Sequence, residues 1–93
     1  MWWWLIATAK PHATPEVIAA KRHQWVAQGK DRQLRARCRA AQRYVVEDAS
    51  PPKVFWLLDT DDRDAVGLIT DHFGDLWEID VYQVSPQAIG QGS

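Results

Sequence analysis

The sequence predicts an α+β domain in the order strand, helix, strand, strand, helix, strand, with a four-stranded antiparallel sheet and two helices on one face. Two helix starts with capping residues, four extended segments of apolar or alternating character, and a length of 93 residues predict it. That length is one domain, with no room for a second core. Residues 1–89 form the expected domain and 90–93 a flexible tail.

Residues Trp2 to Ala9 (WWWLIATA) are bulky and end at Lys10-Pro11, where proline disfavours helix for the residue before it. This is a strand with apolar side chains on both faces, Trp2, Trp4 and Ile6 on one and Trp3, Leu5 and Ala7 on the other. Thr14-Pro15-Glu16 starts a helix, with Thr as N-cap, Pro at the first helical position and Glu near the positive dipole end. It runs to Gly29, a natural terminator. At 100° per residue Ile18, Trp25 and Gly29 centre its apolar face, Val17 and Val26 flank it, Lys21 and Arg22 sit on its two edges, and His23 points away.

Gln33 to Glu47 (QLRARCRAAQRYVVE) reads as a long strand, with Arg35, Arg37 and Arg39 on one face at period two. A helix is the competing reading for its Arg/Ala-rich first half. Asp48-Ala49-Ser50-Pro51-Pro52 is a turn, and Lys53–Asp59 (KVFWLLD) is a strand apolar on both faces. Asp61 or Asp62 caps a second helix, Arg63 to about Gly74, whose positions Ala65, Leu68, Ile69, His72 and Leu76 follow the 3.6 period with Val66 and Phe73 alongside. Trp77–Val84 alternates, Trp77, Ile79 and Val81 inward, before Ser85-Pro86 ends it.

The first and third strands carry large apolar groups on both faces, so a sheet covered by helices on one side leaves an apolar second face. Monomers rarely expose such a patch, and face-to-face sheet dimerisation is the economical solution. If the second and fourth strands are the edges, one carries Arg35, Arg37 and Arg39 and the other Glu78 and Asp80, which a two-fold axis could bring together.

Composition narrows the function. Hydrophobic residues make up 46% and charged residues 25%, and the net charge of -1 gives no electrostatic reason to bind nucleic acid or an anionic membrane. The lone Cys38 forms no internal disulfide or metal cluster, which fits a reducing compartment. The apolar run at the start is too short for a membrane span and lacks a basic n-region, so the expected location is cytoplasmic. Six tryptophans fill core and interface, or wall a pocket for a flat ligand.

The strand–helix order is ferredoxin-like, and the chain resembles the dimeric α/β-barrel superfamily, within it the muconolactone isomerase-like proteins. HFGDLWEIDVYQVSPQAI (His72 to Ile89) is similar to that family's C-terminal strand: an aromatic residue, alternating acidic and aliphatic residues, a polar turn with proline and a short apolar tail. KRHQ (Lys21–Gln24) falls where the family has a lysine followed by acidic residues; here those positions are His23 and Gln24, and RARCRA stands in place of the family's aromatic pattern. The resemblance implies a homodimer or larger homo-oligomer and cofactor-independent acid–base chemistry on a small aromatic, lactone or polyketide-like substrate, in an isomerase or cyclase. Cofactor-free oxygenases of the same superfamily, and a non-enzymatic dimeric binding module, are the alternatives.

The natural cavity of such a fold lies between sheet and helices. His72, on the apolar face of the second helix, is suited to proton transfer near neutral pH, or serves as a core histidine bonded to a backbone carbonyl. His23 is a candidate base from the resemblance and a solvated residue from the helical wheel. Lys21 could orient a carboxylate or stabilise an enolate, or lie on the surface. Arg37, central in its expected strand, could bind an anionic group. Trp25, Trp56 and Tyr82 could form stacking walls, or simply pack. No metal is expected, since His12, His23 and His72 lie on separate elements without HxH, HxxxH or CxxC spacing, and no GxGxxG, P-loop or GxSxG motif occurs.

Overall fold

Seven elements follow one another in the computed structural model, which describes residues 1–90: β1 (Trp2–Ala9), α1 (Pro15–Ala27), α2 (Lys30–Arg37), β2 (Ala40–Val45), β3 (Lys53–Asp59), α3 (Arg63–Phe73) and β4 (Trp77–Val84). The strands form one antiparallel sheet in the order β2-β3-β1-β4. The two strands that read as apolar on both faces are therefore the central ones, and the ferredoxin-like arrangement is present with one helix more than the sequence predicts. Positions 91–93, part of the expected tail, lie outside the described residues.

Register decides what each face carries. Leu5 lies opposite Trp56 and Val81, and Trp3 opposite Leu58 and Gln83. Trp3, Leu5, Ala7, Val54, Trp56 and Leu58 are buried beneath the helices, where Ala65, Val66, Ile69 and Phe73 of α3 complete the core. Of the α3 positions recurring at 3.6 residues, Ala65, Ile69 and His72 are buried together with the flanking Val66 and Phe73, while Leu68 is half-buried and Leu76 lies beyond the end of the helix. Trp2, Trp4, Ile6, Phe55 and Leu57 point to the other face and are half-buried, with Trp4 and Phe55 rings 5.5 Å apart.

Local chemistry explains the helix ends. The Thr14 hydroxyl accepts from the Val17 amide at 3.3 Å and Pro15 opens α1. The Asp62 carboxylate accepts from the Asp64 amide at 2.9 Å at the start of α3. Gly29, at φ 70°, ends α1 and turns the chain into α2, a conformation glycine adopts without penalty.

α2 overturns the expectation of a strand from Gln33. Residues 30–37 are helical and only 40–45 pair in the sheet as β2. Lys, Arg, Gln, Leu and Ala all favour helix, and Leu34 is the one α2 residue that is buried. Arg37 is thus at a helix C-terminus, not central in a strand. The basic sheet edge expected from Arg35, Arg37 and Arg39 is absent too: Arg37 pairs with Asp62 at 3.1 Å, and Arg39 forks onto Asp59 at 2.8 Å and Asp61 at 3.0 Å of its own chain.

That second pairing draws in the Met1 amino group, 3.2 Å from Asp59 and 3.1 Å from Asp61. Arg39 holds the Asp59 and Asp61 carboxyls below their usual range, and Lys21 does the same for Asp75. A carboxyl whose pKa is lower in the folded state stabilises the fold above its unfolded value of about 3.9 and loses that contribution as pH falls. The melting temperature is therefore expected to hold from pH 7 to about 5 and to fall toward pH 2, with a shallower fall in Arg39→Ala. An Arg39→Ala acid profile parallel to wild type, measured by calorimetry, would contradict this.

Candidate functional site

α1 is attached to the rest of the molecule along one side. The Lys10 amide donates to the Leu76 carbonyl and its ammonium to the Gly74 carbonyl, at 2.9 and 3.0 Å. His12 Nε2 lies 3.1 Å from the Asp75 carbonyl oxygen and Lys21 pairs with the Asp75 carboxylate at 3.0 Å. All of these ties run to the α3–β4 corner. α1 buries no residue completely, and on its other side, toward β2 and β3, a cleft of about 420 Å³ opens between α1, α2 and the sheet.

Aromatic rings form one wall of the cleft. Trp25 of α1, Phe73 of α3 and Trp56 of β3 stand in series, with centroids 5.1 Å apart for Trp25 and Phe73 and 5.8 Å for Phe73 and Trp56. The last pair is nearly parallel at 28°. Such a wall offers flat apolar area to a planar ligand. Leu34, Ala41 and Leu58 add aliphatic surface.

The polar lining comprises Arg22, Asp31, Gln42, Arg35 and Arg43. One Asp31 carboxylate oxygen is shielded from solvent and has no hydrogen-bond partner among the described residues. A shielded carboxylate oxygen is costly unless something satisfies it. None of the three arginines has a carboxylate within ion-pairing distance among the described residues. A second cavity of about 490 Å³ lies under the N-terminal half of α1. Arg22 and Arg43 line both cavities and also a constriction of about 20 Å³ that shares walls with each.

Of the sequence-predicted site residues, Trp25 and Trp56 come together on the cleft wall. His72 is buried, and both ring nitrogens are engaged: Nε2 lies 2.9 Å from the Lys21 carbonyl oxygen and Nδ1 3.2 Å from the Lys30 ammonium. Because ammonium only donates and a carbonyl only accepts, the geometry selects the neutral tautomer with the proton on Nε2. Its ring packs at 5.3 Å from Trp25 and edge-on to Phe73 at 4.7 Å. His72 thus ties α3 to α1 and α2 from behind the aromatic wall.

Lys21 is taken up by Asp75, and His23 is exposed on α1. Arg37 is paired to Asp62. Tyr82 lies across from Trp4 on the opposite sheet face. These residues do not converge on one cavity. Burial pushes the Cys38 thiol up, away from thiolate. Among the described residues no group of three or more His, Cys, Asp or Glu side chains is placed to hold a metal ion, and no helix is long and apolar enough to cross a membrane.

Sequence reasoning missed Asp31 and Arg43. Arg43 carried a signal: it shares its parity in β2 with Ala41 and Val45, opposite the buried Leu58, Trp56 and Val54 of β3. It is a charged residue on the helix-facing side. Asp31 had no comparable mark in the charged run Lys30-Asp31-Arg32.

No family model matches the chain, and no curated protein matches it. Solved structures do. An antibiotic biosynthesis monooxygenase is 19% identical over 92% of this chain and 100% of its own, with a TM-score of 0.54. A candidate antibiotic biosynthesis monooxygenase from Deinococcus radiodurans is 14% identical over 99% of this chain and 100% of its own, also at 0.54. The At3g17210 protein from Arabidopsis thaliana is 15% identical over 96% of this chain and 97% of its own, at 0.55. At these identities the likeness is one of fold: the chain has the ferredoxin-like fold of antibiotic biosynthesis monooxygenase-like proteins.

Proposed function

We propose that the cleft binds a small flat aromatic molecule and that the protein oxidises it with molecular oxygen, without a resident cofactor. The observation that carries this reading is a cleft walled by Trp25, Phe73 and Trp56 and lined by Asp31, a carboxylate with one oxygen that has no hydrogen-bond partner among the described residues. The fold shared with antibiotic biosynthesis monooxygenases supports it. Asp31 removes a proton from a phenol or an activated methylene, leaving an electron-rich anion flat against the rings. That anion gives one electron to oxygen, the radical pair joins as a hydroperoxide at carbon, and loss of water leaves a carbonyl. In sum a CH2 group and O2 give C=O and H2O, and the proton on Asp31 departs with the water.

An isomerase or cyclase rests on the same carboxylate, since a base that takes a proton from one carbon can return it to another. It differs in leaving oxygen untouched. An oxygen electrode separates the two with a tricyclic phenolic ketone as substrate: the oxygenase consumes one O2 per carbonyl formed. Asp31→Asn keeps the shape and removes the base, so turnover is expected to fall about 10²–10⁴-fold. Rearranged product without oxygen uptake would replace the oxygenase with the isomerase, and full activity in Asp31→Asn would remove Asp31 from the mechanism.

The assembly is read from the other sheet face. Trp2, Trp4, Ile6, Phe55 and Leu57 form a contiguous apolar strip there, bordered by Tyr44, 47% exposed, and Tyr82, 52% exposed. A patch of this kind on a domain this small is covered most economically by a second copy of itself, in a two-fold face-to-face dimer.

A further inference from the structure

The geometry points to an anion-recognition subsite at the constriction, where Arg22 of α1 and Arg43 of β2 together seat the carboxylate of an aromatic acid whose rings lie on Trp25, Phe73 and Trp56. This deepens the proposed function and rests on the cleft being the aromatic-binding site.

Three of the seven arginines are already engaged by a carboxylate or an aromatic ring. Arg37 and Arg39 are ion-paired, and the Arg63 guanidinium sits 5.7 Å over the Trp3 ring. Arg22 and Arg43 differ. They approach the same constriction from opposite walls, and neither guanidinium has a carboxylate or hydrogen-bond partner among the described residues. Partial burial and the charge of Arg22 both work against the charge on Arg43. Holding two like charges together is unfavourable, and a bound anion reverses the sign of that interaction.

The chain as a whole is slightly acidic, at a net charge of -1. The cleft lining nevertheless holds Arg22, Arg35 and Arg43 against the single acid Asp31. A carboxylate matches the planar guanidinium fork. Phe73 and Trp56 line both the constriction and the aromatic wall, so a ligand reaching from one to the other must carry its acid directly on, or one bond from, a flat ring system. The substrate class is therefore a two- or three-ring aromatic carboxylic acid.

The test uses anthracene-2-carboxylate and its carboxamide, which match in shape and differ in charge, titrated by fluorescence. The wild-type protein is expected to bind the acid about tenfold or more tighter than the amide. Arg43→Gln and Arg22→Gln should each bring the acid down toward the amide while leaving the amide unchanged, and Arg43→Lys should restore part of the difference. Arg32→Gln, on α2 outside the cleft lining, should alter neither. Equal affinities for acid and amide, with no effect of Arg43→Gln, would overturn the anion subsite and leave the aromatic cleft standing. Absence of saturable binding by either compound would overturn both.

Discussion

Trp4→Asp is expected to turn the proposed face-to-face dimer into monomers. Trp4 sits on a central strand, packed on Phe55 and across from Tyr82, at the middle of the apolar face that no helix covers. A carboxylate there must be desolvated for two such faces to meet, and two-fold symmetry brings in two of them. Burying unpaired charge costs several kcal/mol, so the dissociation constant should rise about 10³-fold or more, which is about 4 kcal/mol. The side chain points away from the helix-covered core, so each subunit retains its fold. Sedimentation equilibrium at micromolar concentration reads the outcome. A wild-type chain that sediments as a monomer, or a Trp4→Asp chain that stays dimeric, would remove the sheet face as the interface.

The second large effect is on stability. His72→Ala deletes a buried ring that links three helices, leaving the Lys21 carbonyl and the Lys30 ammonium without their shared partner and a void beside Trp25 and Phe73. Lost hydrogen bonds and a cavity together amount to about 3 kcal/mol, or roughly 10–20 °C in Tm for a domain of this size. His72→Gln, which can donate to the Lys21 carbonyl, should recover part of the loss. If His72→Ala melted within a degree or two of wild type yet lost turnover, the ring would belong to the chemistry after all, as its place on the second predicted helix suggested.

These two residues mark what the sequence made legible. Alternation along Trp2–Ala9 and Lys53–Asp59 told which strands are central and that both faces are apolar, because side-chain direction in a strand follows from parity alone. Thr14-Pro15 and Asp62 marked their helix starts because caps are local chemistry. α2 was hidden because its Arg/Ala run fits period two on charge and helix on propensity, and only Leu34 anchors it. The cleft was legible in part. Trp25 and Trp56 stood out by size, whereas Asp31 gains its meaning from the chain folding back at Gly29, a contact no local pattern encodes. Arg22 could be placed at the edge of the α1 apolar face, but its meeting with Arg43 depends on how far α1 stands from the sheet.

That stance has a dynamic consequence. With its polar ties gathered at the α3–β4 corner and none toward β2 or β3 among the described residues, α1 is a leaf hinged on Asp75 and His72, held to the core by the half-buried Ile18 and Trp25 and burying no residue completely. Its amides should exchange with deuterated solvent well ahead of those of β1 and β3, by local opening rather than global unfolding. Asp75→Asn touches no ligand in the cleft, yet by loosening the hinge it should quicken exchange along α1 and shorten the residence time of whatever the cleft holds.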